Sequence, residues 1–329
     1  MKSIISVFFF FFSFSLVVVS SRRPISSDPC NPRNLPDPRT LRLDQVTVLI
    51  NGYSESRLHL LHSIAITYSS SPSVAAVFIL WGNPTTSHRI LTQLNENLTS
   101  SYLGGAPISI LRQSSDSLNA RFLPRPSWIT TRAVAICDDD VEIDSESVEF
   151  AFNVWRSHRN RLVGFFARSH DLDLVSRTWI YTVHPDKYSI LLTKFMMLNT
   201  DYLYRYSCGA HVKEMREVVD RMKNCEDILM NFVVADESGS GPVLVGARKV
   251  RDWGDARNDD EGRGVRDVGL SSRRGEHRKR RGECIREFHR IMGRMPLRYS
   301  YGKAVNSVGE QGLCEKGGKL VFCDEQILV

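Results

Sequence analysis

Two stretches constrain the fold of this 329-residue chain more than any others: Ser73–Trp81 (SVAAVFILW) and Ala133–Cys137 (AVAIC). Both are apolar on the two faces that alternation along a strand creates, so each must be covered from both sides. Strands of that kind belong to parallel sheets flanked by helices. The surrounding sequence supplies the other parts. Gln45–Ile50 (QVTVLI) reads as a strand ending at Asn51-Gly52, and Leu58, Leu61, Ala65 and Tyr68 then fall on one helix face. Ser87–Asn95 reads as a short helix and Pro107–Leu111 as a strand. After Cys137, Asp144 or Ser145 caps a helix whose inner face carries Val148, Ala151, Phe152 and Trp155. This alternation predicts an α/β fold with a doubly wound, mostly parallel central sheet. Further on, Leu162–Phe166 and Tyr188–Leu198 read as strands, and Glu214–Ala235 as helix with a break at Asn224. Lys249–Glu283 holds eleven Lys and Arg against eight Asp and Glu with few apolar residues, and reads as a flexible charged loop.

The amino terminus directs the chain to a membrane. Ile4–Ser20 is almost wholly apolar, with Lys2 before it and Arg22-Arg23 behind. Its length suits a signal anchor, with residues 1–3 as cytoplasmic tail, 4–20 as transmembrane helix and 21–44 as a proline-rich stem. Residues 45–329 then form a lumenal domain. A cleaved signal peptide is the alternative. Either way the body enters the secretory pathway, where the sequon Asn97-Leu98-Thr99 is a candidate for glycosylation. In an oxidising lumen, Cys225 with Cys284 and Cys314 with Cys323 are candidate bridges. The seven cysteines do not fix their own connectivity, and the partners of Cys30, Cys137 and Cys208 stay open.

The sharpest chemical feature is the triplet Asp138-Asp139-Asp140 at the carboxyl end of a buried strand. Ligands of open α/β sheets bind at that edge, and carboxylates there suit Mg2+ or Mn2+ completed by a substrate diphosphate. Extended backbone would send Asp138 and Asp140 to the same side. The competing structural reading is an acidic turn that caps the next helix. Asp227 follows Asn224 by three residues, which also reads as a capping box with Asn224 as N-cap. Arg121 precedes that strand and Arg281 ends a basic run just before Cys284; arginine near a diphosphate makes charge-assisted contacts, although Arg278–Arg281 mostly reads as a solvated charge run. The net charge of +6 and that run do not make a nucleic-acid binder, given the leader. No HExxH, GxSxG, P-loop, GxGxxG or CxxC occurs, which removes support for zincins, serine hydrolases, NTPases, dinucleotide oxidoreductases and zinc ribbons.

With these residues in hand, the sequence resembles the exostosin-like glycosyltransferases of family 64. The likeness runs through VTVLINGY (46–53), SLNARFLP (117–124), CDDDVEI (137–143), EFAFNVW (149–155), RLVGFFARSH (161–170), NCEDILMNF (224–232) and MPLRYS (295–300). The layout is most similar to the plant short form, the "ectopically parting cells" type, associated with mannosylation of glycosyl inositol phosphorylceramides. The resemblance implies a GT-A fold and a Golgi type II membrane enzyme. It also implies retaining, Mn2+-dependent transfer (Mg2+ as a substitute) from a nucleotide-sugar to a glycolipid or glycan. Carried over by position, Asp140 is the metal ligand, and Asp138 and Asp139 face ribose and donor sugar. Arg121 and Asn83 meet the donor, Asp227 is the acid near the anomeric centre, and Arg281 the arginine near the diphosphate. Cys225 and Cys284 match a family disulfide. Asn51 stands where a glutamine meets the nucleotide, Glu55 replaces an arginine, Asp116 an asparagine, and Glu226 an aspartate beside Asp227. These departures leave GDP-mannose and a UDP-N-acetylhexosamine both open as donor. Three rivals remain: a non-catalytic partner of another transferase, a metal-dependent phosphoesterase, and a nucleic-acid binder.

Overall fold

The computed structural model describes residues 28–31, 34, 36–101, 104–254 and 274–306, with the backbone alone of 312–316 and 319–323. The leader at 4–20 and the pairing of Cys314 with Cys323 lie outside the described residues. Among the described residues, no helix is long and apolar enough to cross a membrane.

The first half alternates as its apolar pattern requires. It runs β1 (Arg42–Gly52), α1 (Leu58–Ser69), β2 (Val74–Trp81), α2 (His88–Ser100), β3 (Ile108–Arg112) and β4 (Thr131–Asp138). β5 (Val141–Ile143), α3 (Ser145–Ser157) and β6 (Val163–Gly164) follow. Next come the hairpin β7 (Ala167–Asp173) and β8 (Thr178–Thr182), then β9 (Ile190–Leu191) and β10 (Phe195–Asn199). Four helices dominate the remainder: α4 (Thr200–Cys208), α5 (Lys213–Met222), α6 (Glu226–Ser238) and α7 (Arg274–Met292). Between and after them lie β11 (Val243–Val245), β12 (Val250–Asp252), β13 (Lys303–Ala304), β14 (Gly312–Lys316) and β15 (Lys319–Cys323).

Eight strands form one sheet in the order β13-β11-β6-β10-β4-β1-β2-β3. β10 alone runs antiparallel to both of its neighbours, β4 and β6, and the other pairs are parallel. The period-2 alternation divides the core. Val46, Val48, Ile50, Ala135 and Met197 pack under α1, α2 and α3, against Leu61, Tyr68, Phe152 and Trp155. Leu49, Val134, Ile136, Met196 and Leu198 face the other way, against Tyr206, Met215, Ile228, Phe232 and Phe288. Burial on both sides is therefore why the central strands carry no polar face.

Caps fix the helix starts. Asp144 caps α3 by accepting from Ser147 N–H at 2.9 Å, and Ser87 caps α2. Four readings need correction. Tyr188–Leu198 is two strands rather than one, with Leu192–Lys194 turning between them. The α5–α6 break falls as expected, but Asn224 is not the N-cap. Lys223 and Cys225 take positive φ (47° and 78°), and Cys225 holds the cap position without a side-chain bond. The charged segment 249–283 is ordered at both ends: β12 pairs with β5, and α7 begins at Arg274. Its centre, 255–273, lies outside the described residues. Finally, the stem is not a free linker as far as Asp44. A disulfide joins Cys30 to Cys208 at the end of α4, and β1 begins at Arg42.

His170 offers a direct test of the packing around β7. It is buried, bonded through Nδ1 to Ser189 Oγ at 2.7 Å, and stacked on Tyr299 at 4.7 Å. Burial pulls its pKa down to about 4, against the opposing pull of Asp171. The unfolded side chain titrates near 6.5, so the folded form binds fewer protons between those values. Its contribution to stability is complete above about pH 6.5 and is lost as pH falls towards 4. Urea denaturation across this range should show a shallower decline for His170→Gln than for the wild type.

Candidate active site

The parallel strands β1, β2 and β4 deliver their carboxyl ends to one edge of the sheet, where β1 register sets Asn51 beside Asp138. β10, running the opposite way, starts at that edge, so Lys194 just before it arrives there too. The amino terminus of α6 completes the cluster with Glu226 and Asp227.

The acid triplet does not behave as extended backbone. β4 ends at Asp138, and Asp139-Asp140 forms a turn before β5, so the expected same-side projection of Asp138 and Asp140 gives way to separate partners. Asp138 accepts from Arg121 Nη1 at 2.9 Å. Asp139 and Asp140 both accept from Arg57 Nη1, at 2.9 and 3.0 Å. Asp139 also accepts from Tyr53 N–H at 3.3 Å. β12 packs across the turn: Trp253 N–H bonds Asp140 carbonyl at 2.8 Å, and Lys194 pairs with Asp252. A methyl group on Gly254 would lie 2.5 Å from Asp140 Oδ2, so only glycine allows that approach. The other oxygen of the same carboxylate, Oδ1, is buried without a partner.

Arg121 links the triplet to α6. It is 5% exposed, and Nη1 also reaches Glu226 Oε1 at 3.2 Å. Arg281, on α7, is equally buried and bonds Asp227 Oδ2 at 2.6 Å and Asn224 Oδ1 at 3.1 Å. Its guanidinium lies over the Tyr181 ring, 4.6 Å from the centroid. The disulfide between Cys225 and Cys284 holds α6 to α7 at this point, as the resemblance implies. Asn231 secures α6 from below, bonding both backbone groups of Leu191 and the carbonyl of Asp227. Both arginines leave Nε buried without an acceptor among the described residues.

The electrostatics follow from burial. Desolvation raises the Asp140 pKa to about 7, Asp138 adds to the rise, and Arg57 opposes it. Glu226 is also raised, by desolvation first, with Arg121 opposing. Desolvation would lower the Arg281 pKa, but Asp227, Tyr181 and Glu226 together outweigh it and drive the value up. Asp138, Asp139, Asp140, Glu226, Asp227 and Asp252 face Arg57, Arg121, Lys194 and Arg281. Carboxylates and guanidinium groups are thus interleaved at this edge, each acid held against a cation.

The remaining expected residues are more dispersed. Asn51 reaches the edge of the cluster. Asn83 is engaged locally, its Oδ1 accepting from Thr85 N–H and Oγ at 2.9 and 2.7 Å. Glu55 and Asp116 are exposed, as is Asn97 on the last turns of α2. Among the described residues, no three His, Cys, Asp or Glu side chains form a group able to hold a metal by themselves. The residues missed from the sequence are Arg57, Lys194, Tyr181 and Trp253. The one sequence signal for Arg57 is its place in the loop after β1 ends at Gly52, at the edge of the sheet where the acid triplet also lies.

Comparison with known proteins places this geometry. The sequence matches the Glycosyl transferase family 64 domain over residues 46–309. It is 65% identical over 299 residues to Glycosyltransferase family protein 64 C3 of Arabidopsis thaliana, covering 90% of this chain and 91% of that one. Identity to Glucosamine inositolphosphorylceramide transferase 1 of Arabidopsis thaliana is 30%, over 81% of this chain and 33% of the relative. For Exostosin-2 of Homo sapiens it is 30%, over 74% and 32%. The chain thus spans about a third of the length of these last two proteins. The solved structure of GalNAc-T7 with UDP, GalNAc and Mn2+ aligns at TM-score 0.43 and 10% identity, covering 58% of this chain and 40% of that one. That likeness is too distant to carry an argument.

The Arg281–Asp227 pair is buried on both sides, so removing one partner strands the other charge. Arg281→Leu should lower the unfolding free energy by about 3–5 kcal/mol. The double variant Asp227→Leu/Arg281→Leu should recover most of that loss in chemical denaturation.

Proposed function

The chain belongs to glycosyl transferase family 64, and we propose that it moves a sugar, with retention, from a nucleotide-sugar to an inositolphosphorylceramide-type glycolipid. The observation that carries this reading is the pair of buried, unpartnered Nε–H groups of Arg121 and Arg281, set among carboxylates at the carboxyl edge of a parallel sheet. Buried donors without acceptors are rare in native structures and suit an oxygen-rich anion such as a diphosphate. The sheet, with one antiparallel strand beside the acid triplet, supports the GT-A reading.

The residues present fit a divalent cation, Mn2+ or Mg2+. Asp140 Oδ1 is an orphaned buried acceptor in a carboxylate-rich cluster, and oxygen ligands of that kind suit a hard cation. Asp140 would hold the ion, with Asp138 beside it, and phosphate oxygens and water would supply the other ligands. When bound, the ion supplies positive charge that stabilises the leaving diphosphate.

The protein's own groups account for the rest. Arg121 orients Asp138 and Glu226 and offers its Nε–H to the donor. Asp227, fixed by Arg281 and by the N–H of Ile228, presents negative charge where C1 of the sugar becomes cationic. The C1–phosphate oxygen bond breaks, the acceptor oxygen bonds C1 on the same face, and the acceptor proton passes to the departing phosphate oxygen. No covalent enzyme intermediate is required.

For substrate class, the name of one relative, Glucosamine inositolphosphorylceramide transferase 1, couples glucosamine with inositolphosphorylceramide, which supports the acceptor reading. We assign mannose from GDP-mannose as the transferred sugar, on the resemblance to the plant short form and the altered residues Asn51, Glu55, Asp116 and Glu226. A UDP-N-acetylhexosamine is the second candidate. The leader and the exposed Asn97 suit a Golgi type II membrane protein bearing one N-glycan.

A donor screen checks this directly. The purified chain with Mn2+ and glycosyl inositol phosphorylceramide should release GDP from GDP-mannose faster than UDP from any UDP-sugar. Asp227→Asn should lower kcat by about 100-fold or more with donor affinity intact. Turnover close to wild type would remove Asp227 from the mechanism. Asp140→Ala should abolish Mn2+-dependent binding of nucleoside diphosphate in calorimetry.

A further inference from the structure

Arg57 is the one cation among the described residues that joins two members of the acid triplet. Its Nη1 stands 2.9 Å from Asp139 Oδ1 and 3.0 Å from Asp140 Oδ2, and its side chain is only 13% exposed. It reaches the triplet from the short 3-10 turn Glu55–Arg57, directly after β1. Gly254 lies so near the same Asp140 oxygen that a Cβ there would stand 2.5 Å from it. Asp140 is therefore gripped at Oδ2, while Oδ1 is buried and unpartnered. A carboxylate in that state can take a second cation only against the charge of the first. A guanidinium and a divalent ion sharing one carboxylate repel each other, and in a partly dry site that repulsion is weakly screened.

We propose that Arg57 is a resident counter-ion that competes with the divalent cation for Asp140 and, once displaced, turns its guanidinium to the phosphates of the nucleotide-sugar. This inference rests on the reading of the triplet as a metal–diphosphate site. Two consequences follow from the charges. Metal alone binds weakly, because it must evict Arg57 with nothing to receive it. Metal and nucleotide together bind well, because the diphosphate offers the displaced fork a bidentate partner. Arg57 thus couples the two ligands, and the acid triplet loads as a unit.

The test measures binding rather than turnover, with Mn2+ alone and with GDP or UDP as probes. Free Mn2+ is counted by electron paramagnetic resonance, and nucleotide affinity at saturating Mn2+ is read by calorimetry. Arg57→Gln should bind Mn2+ alone about tenfold more tightly than the wild type, and should bind nucleoside diphosphate about tenfold more weakly, the range of one charge-assisted hydrogen bond. Arg57→Lys keeps the charge but serves only one carboxylate at a time, so its Mn2+ affinity should fall between the two. If the Gln variant does not fold, the Lys variant decides. Mn2+ affinity unchanged or weakened in the folded variants would overturn the inference and make Arg57 a structural tie. In that case, Mn2+-dependent nucleotide binding by the wild type would leave the proposed function standing. Absence of such binding in every protein would remove both.

Discussion

The edge of the sheet where β1, β2 and β4 end gathers carboxylates out of water, and the surrounding structure is organised to set a cation against each of them. Arg57, Arg121, Arg281 and Lys194 each arrive from a different element, and each is tied to at least one carboxylate. None of these pairs is a surface pair of small consequence. They are buried or nearly so, and a buried pair is stable only when both partners stay in place. Burial, with Asp138 adding to it, also raises the Asp140 pKa to about 7 against the pull of Arg57.

Holding such a cluster requires rigid supports. The central strands are locked from both faces by the two cores. Behind Asp227, the left-handed turn at Lys223 and Cys225 swings the start of α6 towards the site, and the Cys225–Cys284 bridge keeps α7 and Arg281 against it. Asn231, one helical turn beyond Asp227, ties α6 to the β9 backbone through both ends of its amide. The family to which the chain belongs is defined by sequence over 46–309, and the described part of that span contains every residue of this cluster.

Much of this was legible from the residues. Strands with no polar face announce the parallel sheet, Asp144 or Ser145 a helix cap that proves to be Asp144, and the ordered segments the family. What sequence could not supply was contact between elements far apart along the chain. Asn224 looked like an N-cap because a capping box is a local pattern, whereas Arg281, 57 residues away, claims its side-chain oxygen. The charged stretch 249–283 looked like loop because its composition is polar, yet β12 is held by pairing with β5 and α7 by its apolar inner residues Ile285 and Phe288. Arg57 is hidden from a sequence reading for a similar reason. Nothing near it in sequence is acidic except Glu55, and its true partners lie more than 80 residues on.

The central claim is that a divalent cation and a diphosphate complete the cluster at Asp140. Anomalous diffraction from a crystal soaked with Mn2+ and GDP tests it most directly. The account predicts one manganese peak on the Asp140 carboxylate, contacted by diphosphate oxygens, with the Arg57 guanidinium moved off that carboxylate. A map with no peak there, and Arg57 still bonded to both Asp139 and Asp140, would contradict it.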